Sequence, residues 1–380
     1  MDADAIDELR AGFEEPFWAL GRDPARDGKV VVVSWPSVPI ELIRAAGLSP
    51  VFARGNSAAT SAAKRVLEPD LFPNRLRQLV EAALTGRLAR VAAIVLPRSS
   101  DPDYKCFLYL RELERRGVAR ALPPVLLFDL LHSDHADARS YNADRTRDLS
   151  ARLASLAPTR HKRKDLGAAI ASANRARAAA RRLDALRITT PHIAGTDALQ
   201  LLGAFWQVEP ERYASLANAA ADTVARRAPL PGPRVLIAGA PVDAPALHAA
   251  IEAEGAVVVA ELSAFGGFGT STDIEVSDEP FGALADHYGR ESIDARMPVK
   301  ELMRRLGGAL DNVSAVVISL PSDDASFGWD YPRIRDLLAA RSIPHTVLSC
   351  DPSLGASPAD RKRVASLLVS ARAHREASRG

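Results

Sequence analysis

The sequence predicts an α/β protein of two similar lobes, each a short parallel sheet flanked by helices, plus a helical bridging segment. Three observations predict it. Lys29 to Ser34 (KVVVVS) is a β-branched run of the kind buried on both faces of a parallel sheet, and VPIELIRAAG behind it has helical apolar spacing that stops at Gly47. The same order of strand, Pro-containing turn, amphipathic helix, Gly stop and strand returns at RVLIAGAPVDAPALHAAIEAEGAVVVAEL, Arg234 to Leu262. A second pair, Val91 to Asp129 and Val313 to Asp351, shares strand, Ser/Asp loop, helix, Pro and strand. Its spacing of roughly 220 residues is too long for a solenoid and fits a duplicated α/β domain.

Along the chain, residues 1–135 are expected to form the first lobe, 136–230 the helical bridging segment and 231–380 the second lobe. A chain of 380 residues exceeds one typical core, which agrees with this division. From Ala136 to Arg227 the pattern is almost purely helical and poor in strand formers, with APTR and TTPHIAG as breaks. SPVFARG, after Gly47, reads as the second strand of the first lobe.

Composition sets the boundaries of function. Lys and Arg total 49 against 47 Asp and Glu, so no overall field recruits nucleic acid or an anionic membrane, and neither is expected as a partner. The N-terminal stretch lacks a basic segment followed by an apolar one, and no window approaches eighteen uninterrupted apolar residues. A cytoplasmic location is expected. Cys106 and Cys350 are the only cysteines, which excludes a disulfide framework and any site needing three or four thiolates from this chain.

In open parallel sheets the ligand crevice lies past the carboxyl ends of the strands. That rule selects four loops: Trp35 to Val38, Pro97 to Lys105, Ala240 to Ala244 and Pro321 to Trp329. Their candidate acid-base groups are Ser100, Asp101, Asp323 and Asp324, each with a competing reading as a helix cap. Trp35, Ser37, Phe327 and Trp329 are candidate ligand contacts, the last two from an aromatic cluster, FGWDYP, read as part of a strand-end loop. The glycines from Gly266 to Gly269 match no phosphate-loop spacing and read as a connection. His132 and His135, with Asp134 and Asp137, lack a second ligand cluster, so no metal site is assigned. The basic run Arg160 to Lys164, continued by Arg175, Arg177, Arg181 and Arg182, reads as a solvated helical face.

Several stretches together resemble one family: VPIELIRAAGLSPV, LFPNRLRQLVEAALTG, the strand leading to SSDPDYK, AIASANRAR, PRVLIAGAPVDAPALHAAIEAEGAVVV, LADHYG and WDYPRIRDLLAARSIPHTVL. In this order they are similar to the 2-hydroxyacyl-CoA dehydratase and benzoyl-CoA reductase subunits, of the 2-hydroxyglutaryl-CoA dehydratase D-component type, over nearly the whole chain. The resemblance implies two α/β lobes around a 4Fe-4S cluster that passes single electrons to a CoA thioester. It also implies a related partner subunit and a separate ATP-dependent iron-sulfur activator.

The sequence departs from that pattern where the resemblance places cysteine ligands. Ser100 stands before Asp101 where a Cys-Asp pair is expected, Leu71 or Phe72 stands before the LFPNRLRQ helix, and Ser322 to Ser326 contains no cysteine. Hydroxyls are hard donors with far higher pKa values than thiols and do not replace thiolates on iron. Cys106 falls inside the following helix, and Cys350 is expected at a strand end in the position matched by Phe128. No cofactor is therefore expected in this chain, and any cluster would come from a cysteine-bearing partner. The expectation is a cluster-deficient subunit or homologue that completes an acyl-CoA cleft or supports a catalytic partner. The alternative is a non-catalytic binding or scaffold protein that holds a CoA ester or small anion. A third possibility, cluster-free acid-base chemistry on the named Ser and Asp residues, lacks a nucleophile-base pair.

Overall fold

The computed structural model describes residues 2–20, 28–119, 121–133, 135–157, 164–292, 294–322, 324 and 326–377. Helices α1 (Asp2–Glu14) and α2 (Phe17–Leu20) precede β1 (Val30–Val33), α3 (Ile40–Ala45), β2 (Ser49–Phe52), α4 (Asn74–Leu84), β3 (Ala93–Pro97), α5 (Asp101–Arg115) and β4 (Val125–Phe128). The four strands form one parallel sheet in the order β2-β1-β3-β4. Four helices follow: α6 (Ala136–Leu156), α7 (Leu166–Ile188), α8 (Gly195–Gly203) and α9 (Pro210–Ala225).

The second half repeats the first. It runs β5 (Arg234–Gly239), α10 (Ala246–Glu252), β6 (Val257–Glu261), α11 (Pro280–Arg290), α12 (Val299–Ala309), β7 (Ala315–Ser319), α13 (Phe327–Ala340), β8 (His345–Leu348) and α14 (Pro358–Ala377). Its sheet order, β6-β5-β7-β8, is the same as the first and again parallel. Pro97 pairs with Phe128 and Ser319 with Leu348, so Leu348, not Cys350, holds the register of Phe128. Cys350 lies two residues past the strand, which corrects its expected place.

Strand periodicity explains how the layers pack. Val31, Val33, Ala93 and Val95 of the first sheet, and Val235, Ile237, Ala315 and Val317 of the second, face one shared core with α7, α8 and α9. The alternate residues face outward: Val30, Val32, Ile94 and Leu96 pack on α4 and α5, and Leu236, Val316 and Ile318 pack on α12 and α13. Each fully buried Val or Leu contributes roughly 1.5–3 kcal/mol. Small residues on α7 and α9, among them Ala173, Ala176, Ala217 and Ala220, are buried, and the two helices pack on each other. Helix α1 packs chiefly on α8 and α9, although it precedes β1 in the chain.

FGWDYP is the opening of α13 rather than loop. The Asp324 carboxylate accepts the N–H groups of Phe327 (3.1 Å) and Gly328 (2.7 Å), so the helix starts before Pro332, which then sits inside it.

Two buried arginines fix α7 to both halves. Arg177 Nη2 meets Glu41 Oε1 of α3 at 2.6 Å with both side chains out of solvent, and Tyr288 of α11 donates its hydroxyl to Glu41 Oε2 at 2.9 Å. Arg187, about 15 Å further along the axis, donates to both Glu261 oxygens of β6 at 2.6 and 2.8 Å and to Asp184 at 2.6 Å. Arg177 is thus a core residue, which corrects its place in the solvated basic face; its neighbours in sequence keep that reading, with Arg181 paired to Asp273 and Arg182 to Asp222.

Glu41→Gln keeps the shape but leaves the Arg177 charge buried and unopposed, so unfolding in urea is expected to show a loss of about 3–5 kcal/mol. The double variant with Arg177→Met is expected to recover much of that loss. Equal destabilisation of the two variants would contradict the assignment.

Candidate functional site

Both sheets reverse direction next to their first strand, between β1 and β3 and between β5 and β7, and a ligand crevice is expected at each such point. The two switch points open onto one cleft of about 340 Å³. All four loops selected from the sequence contribute to its wall: Trp35; Arg98 to Asp103; Ala240, Pro241 and Asp243; and Pro321, Asp324, Ser326 and Phe327. Three further segments join them: the start of α4, Pro73 to Arg75, the turn holding Asp294 and Arg296, and the loop after β8, Asp351 to Ser353. Gly239 sits at φ +93 at the end of β5, and a Cβ there would lie 2.3 Å from Ser319 O, so only glycine lets the two strand ends close up. Gly55 meets Ser353 of the other half in the same way, at 2.6 Å, and gives its N–H to Asp243 Oδ2 at 2.9 Å.

One ion pair organises the first-lobe wall. Arg75, in the first turn of α4, makes two bonds of 2.8 Å to the two oxygens of Asp103, in the first turn of α5. Ser34, Ser99 and Ser100 donate their hydroxyls to the same carboxylate at 2.9, 3.0 and 2.5 Å. The Asp103 N–H returns to Ser100 Oγ at 3.2 Å, a reciprocal helix cap. Burial alone would raise the Asp103 carboxyl, but Arg75 and the hydroxyl donors outweigh it and hold the group below its ordinary value. The Arg75 guanidinium lies 4.9 Å from the centre of the Trp35 ring, whose edge packs on Phe265.

The second-lobe wall has the opposite electrostatics. Burial raises Asp243 despite its bond from Gly55 and the nearby Arg75 charge. Burial, with the charge of Asp103 added, raises Asp294 to about 7 against the Arg296 N–H that it accepts at 2.8 Å.

The sequence-derived candidates separate clearly. Ser100 is the α5 cap, with its hydroxyl engaged; Asp101 is exposed at the cleft wall; Asp324 lines the cleft and caps α13. Asp323 lies outside the described residues. Trp35 and Phe327 line the cleft, whereas Ser37 is buried away from it and Trp329 is 84% exposed outside it. Arg75, Asp103, Asp243 and Asp294 were missed. A Ser-x-x-acid spacing, Ser100 to Asp103, signals the capping box, but nothing local pairs Asp103 with an arginine on another helix.

The remaining motifs find structural roles. A Cβ on Gly266 or Gly267 would collide with Glu261 or Asp184, so these glycines let the chain cover the buried Arg187 cluster. His132 and His135 are exposed, Asp134 lies outside the described residues, and among the described residues no three His, Cys, Asp or Glu side chains gather as a metal set. Of the basic run, 160–163 lie outside the described residues.

The cysteine positions implied by the resemblance are filled by other chemistry. Phe72 is buried with its ring 5.5 Å from Tyr109, and Leu71 is partly exposed. Cys106 sits on the buried face of α5, in the core it shares with α4, where burial pushes its thiol far above the ordinary value. Cys350 is half-buried and pushed up to about 11, chiefly by burial. This set does not fit an iron-sulfur cluster.

The chain matches the protein-family model described as 2-hydroxyglutaryl-CoA dehydratase, D-component, over residues 37–368, and it belongs to that family. No curated protein matches the chain.

Asp103→Asn is expected to lower the urea midpoint strongly at pH 7, since it leaves Arg75 buried without its counter-charge at a cost of about 3–5 kcal/mol. A depressed carboxyl stabilises above its unfolded value, near 3.9, and that stabilisation is lost as pH falls through the folded value. The gap between the two proteins is therefore expected to narrow below about pH 4; a gap independent of pH would contradict the ionised pair.

Proposed function

We propose that this D-component family member is a subunit of a dehydratase- or reductase-type complex that works without an iron-sulfur cluster of its own. In this reading it completes an acyl-CoA cleft, or supports a cysteine-bearing partner, and an ATP-dependent activator acts on the partner's cluster. One observation carries the reading. The starts of α4 and α5, beside Leu71 or Phe72 and at Ser100, where the family resemblance puts two thiolates, are cross-linked by the Arg75–Asp103 ion pair. Soft thiolates match iron; a closed pair of guanidinium and carboxylate offers it no free donor.

The cleft supports the ligand class. Its size is at the lower end of small-molecule sites. It suits an acyl group with its thioester, the nucleotide end remaining outside. Arg98 and Arg296 line the cleft from the two halves, joined through Asp129 at 3.1 and 3.4 Å. The engagement of every serine hydroxyl around Asp103 also favours a second reading, a non-catalytic holder of a CoA ester.

Anaerobic reconstitution of the chain alone with iron and sulfide is expected to leave it without stoichiometric iron or acid-labile sulfide, and Ser100→Cys is expected to change neither. Stoichiometric incorporation of both would overturn the reading. Co-expression with a cysteine-bearing family member separates the alternatives: a stable complex supports the subunit role, and a monomer that binds acetyl-CoA supports the holder.

A further inference from the structure

Two buried carboxyls of the cleft have no salt-bridge partner among the described residues. Asp243 and Asp294 are each 6% exposed and line the cleft, and among the described residues neither forms an ion pair. Asp103 and Asp351, on the same walls, are paired with Arg75 and Arg77. Of the cations nearby, Arg75 is committed to Asp103, and Arg98 and Arg296 to Asp129; buried Arg54 lowers Asp243 by its charge without forming an ion pair with it, and burial outweighs that charge. Asp101, Asp324 and Asp351 add only negative potential. An unpaired carboxylate held out of water takes a proton instead of staying charged.

Asp294 is also held in place from both halves. It sits between α11 and α12, and Arg296 fixes it by giving its N–H to Asp294 Oδ1 at 2.8 Å and its guanidinium to Arg98 O of the first lobe at 3.0 Å. A second, independent feature lies on the first-lobe wall. Asn74 is 8% exposed, its Nδ2 donates to Asn56 O at 3.0 Å, and its Oδ1 is buried without a hydrogen-bond partner. An orphaned acceptor at a cavity wall marks a place where a ligand donor belongs.

We propose that Asp294 is a neutral hydrogen-bond donor in the cleft, built to receive a carbonyl oxygen of a bound acyl thioester, with Asn74 Oδ1 accepting from an N–H or O–H of the same ligand. This rests on the acyl-CoA reading of the cleft. It adds a proton-bearing group that titrates near neutrality, since burial raises Asp294 to about 7. Such a carboxyl is about nine-tenths protonated at pH 6 and about one-tenth at pH 8, so its hydrogen bond should fade roughly tenfold over that interval.

Two measurements on the full chain test this. In carbon-13 NMR with labelled aspartate, the side-chain carboxyl signal lost in Asp294→Asn is expected to titrate with a midpoint near pH 7; a midpoint below pH 5 overturns the proposal. In calorimetry, acetyl-CoA is expected to bind about tenfold more weakly at pH 8 than at pH 6, and Asp294→Asn is expected to reduce that ratio to less than about twofold. The ligand's own phosphate titration is common to both proteins and cancels. An equal pH dependence in wild type and variant overturns the proposal. The same comparison with free CoA assigns the oxygen: dependence confined to acetyl-CoA places the thioester carbonyl at Asp294, and dependence with both places a pantetheine amide there. If Asp294 titrates near pH 7 but acetyl-CoA binds at neither pH, the neutral carboxyl is upheld and the acyl-CoA reading falls. The variant's folding is checked by its melting temperature, which should exceed that of the wild type at pH 8 because a buried charge has been removed.

Discussion

The cleft depends on the bidentate pair between Arg75 and Asp103. Removing two charges from water is costly, and the attraction between them repays that only when geometry is good and the remaining lone pairs are filled. Here both conditions are met: two bonds of 2.8 Å join the partners, and three serine hydroxyls complete the carboxylate. The pair joins the first turns of α4 and α5, so it fixes where two loops can lie relative to one another. It also accounts for the inertness of Ser100, whose hydroxyl is held by the carboxylate and by the α5 cap.

The same logic operates at larger scale along α7. Two buried arginines on one helix reach acids on α3 and β6, one from each half. Their loss would be expensive because each would strand a charge in the core. The helical segment is therefore more than a spacer between two sheets: it sets the distance at which the two switch points face each other.

Much of this was legible in the sequence. Runs such as VVVV and AVVIS showed the buried strands, their repetition showed the duplication, and the strand-end rule found four of the loops that line the cleft. What stayed hidden depends on partners distant in the chain. Arg177 looked like one more surface arginine because its acid, Glu41, lies 136 residues away. Asp103 was hidden for the same reason, behind a serine whose local capping role was plain. Trp329 and Phe327 are neighbours with the same aromatic signal, but a helix start sends one to the cleft and the other to solvent, and Pro332 disguised that start. Asp294 carried no motif at all; what distinguishes it is an absent counter-ion, which only three-dimensional packing reveals.

The two walls of the cleft divide the work between them. On the first-lobe side the buried charges are matched, the hydroxyls around Asp103 are consumed and α5 is capped, so a ligand meets a wall whose buried orphan, among the described residues, is the Asn74 oxygen. On the second-lobe side two buried carboxyls, Asp243 and Asp294, form no ion pair among the described residues, and burial raises both above the ordinary carboxyl value. A carboxylate already filled by donors can only shape the cleft, whereas a buried carboxyl without an ion pair can still exchange a proton. The asymmetry between Asp103, held below its ordinary value, and Asp294, raised toward neutrality, gives a single cleft two chemically different walls.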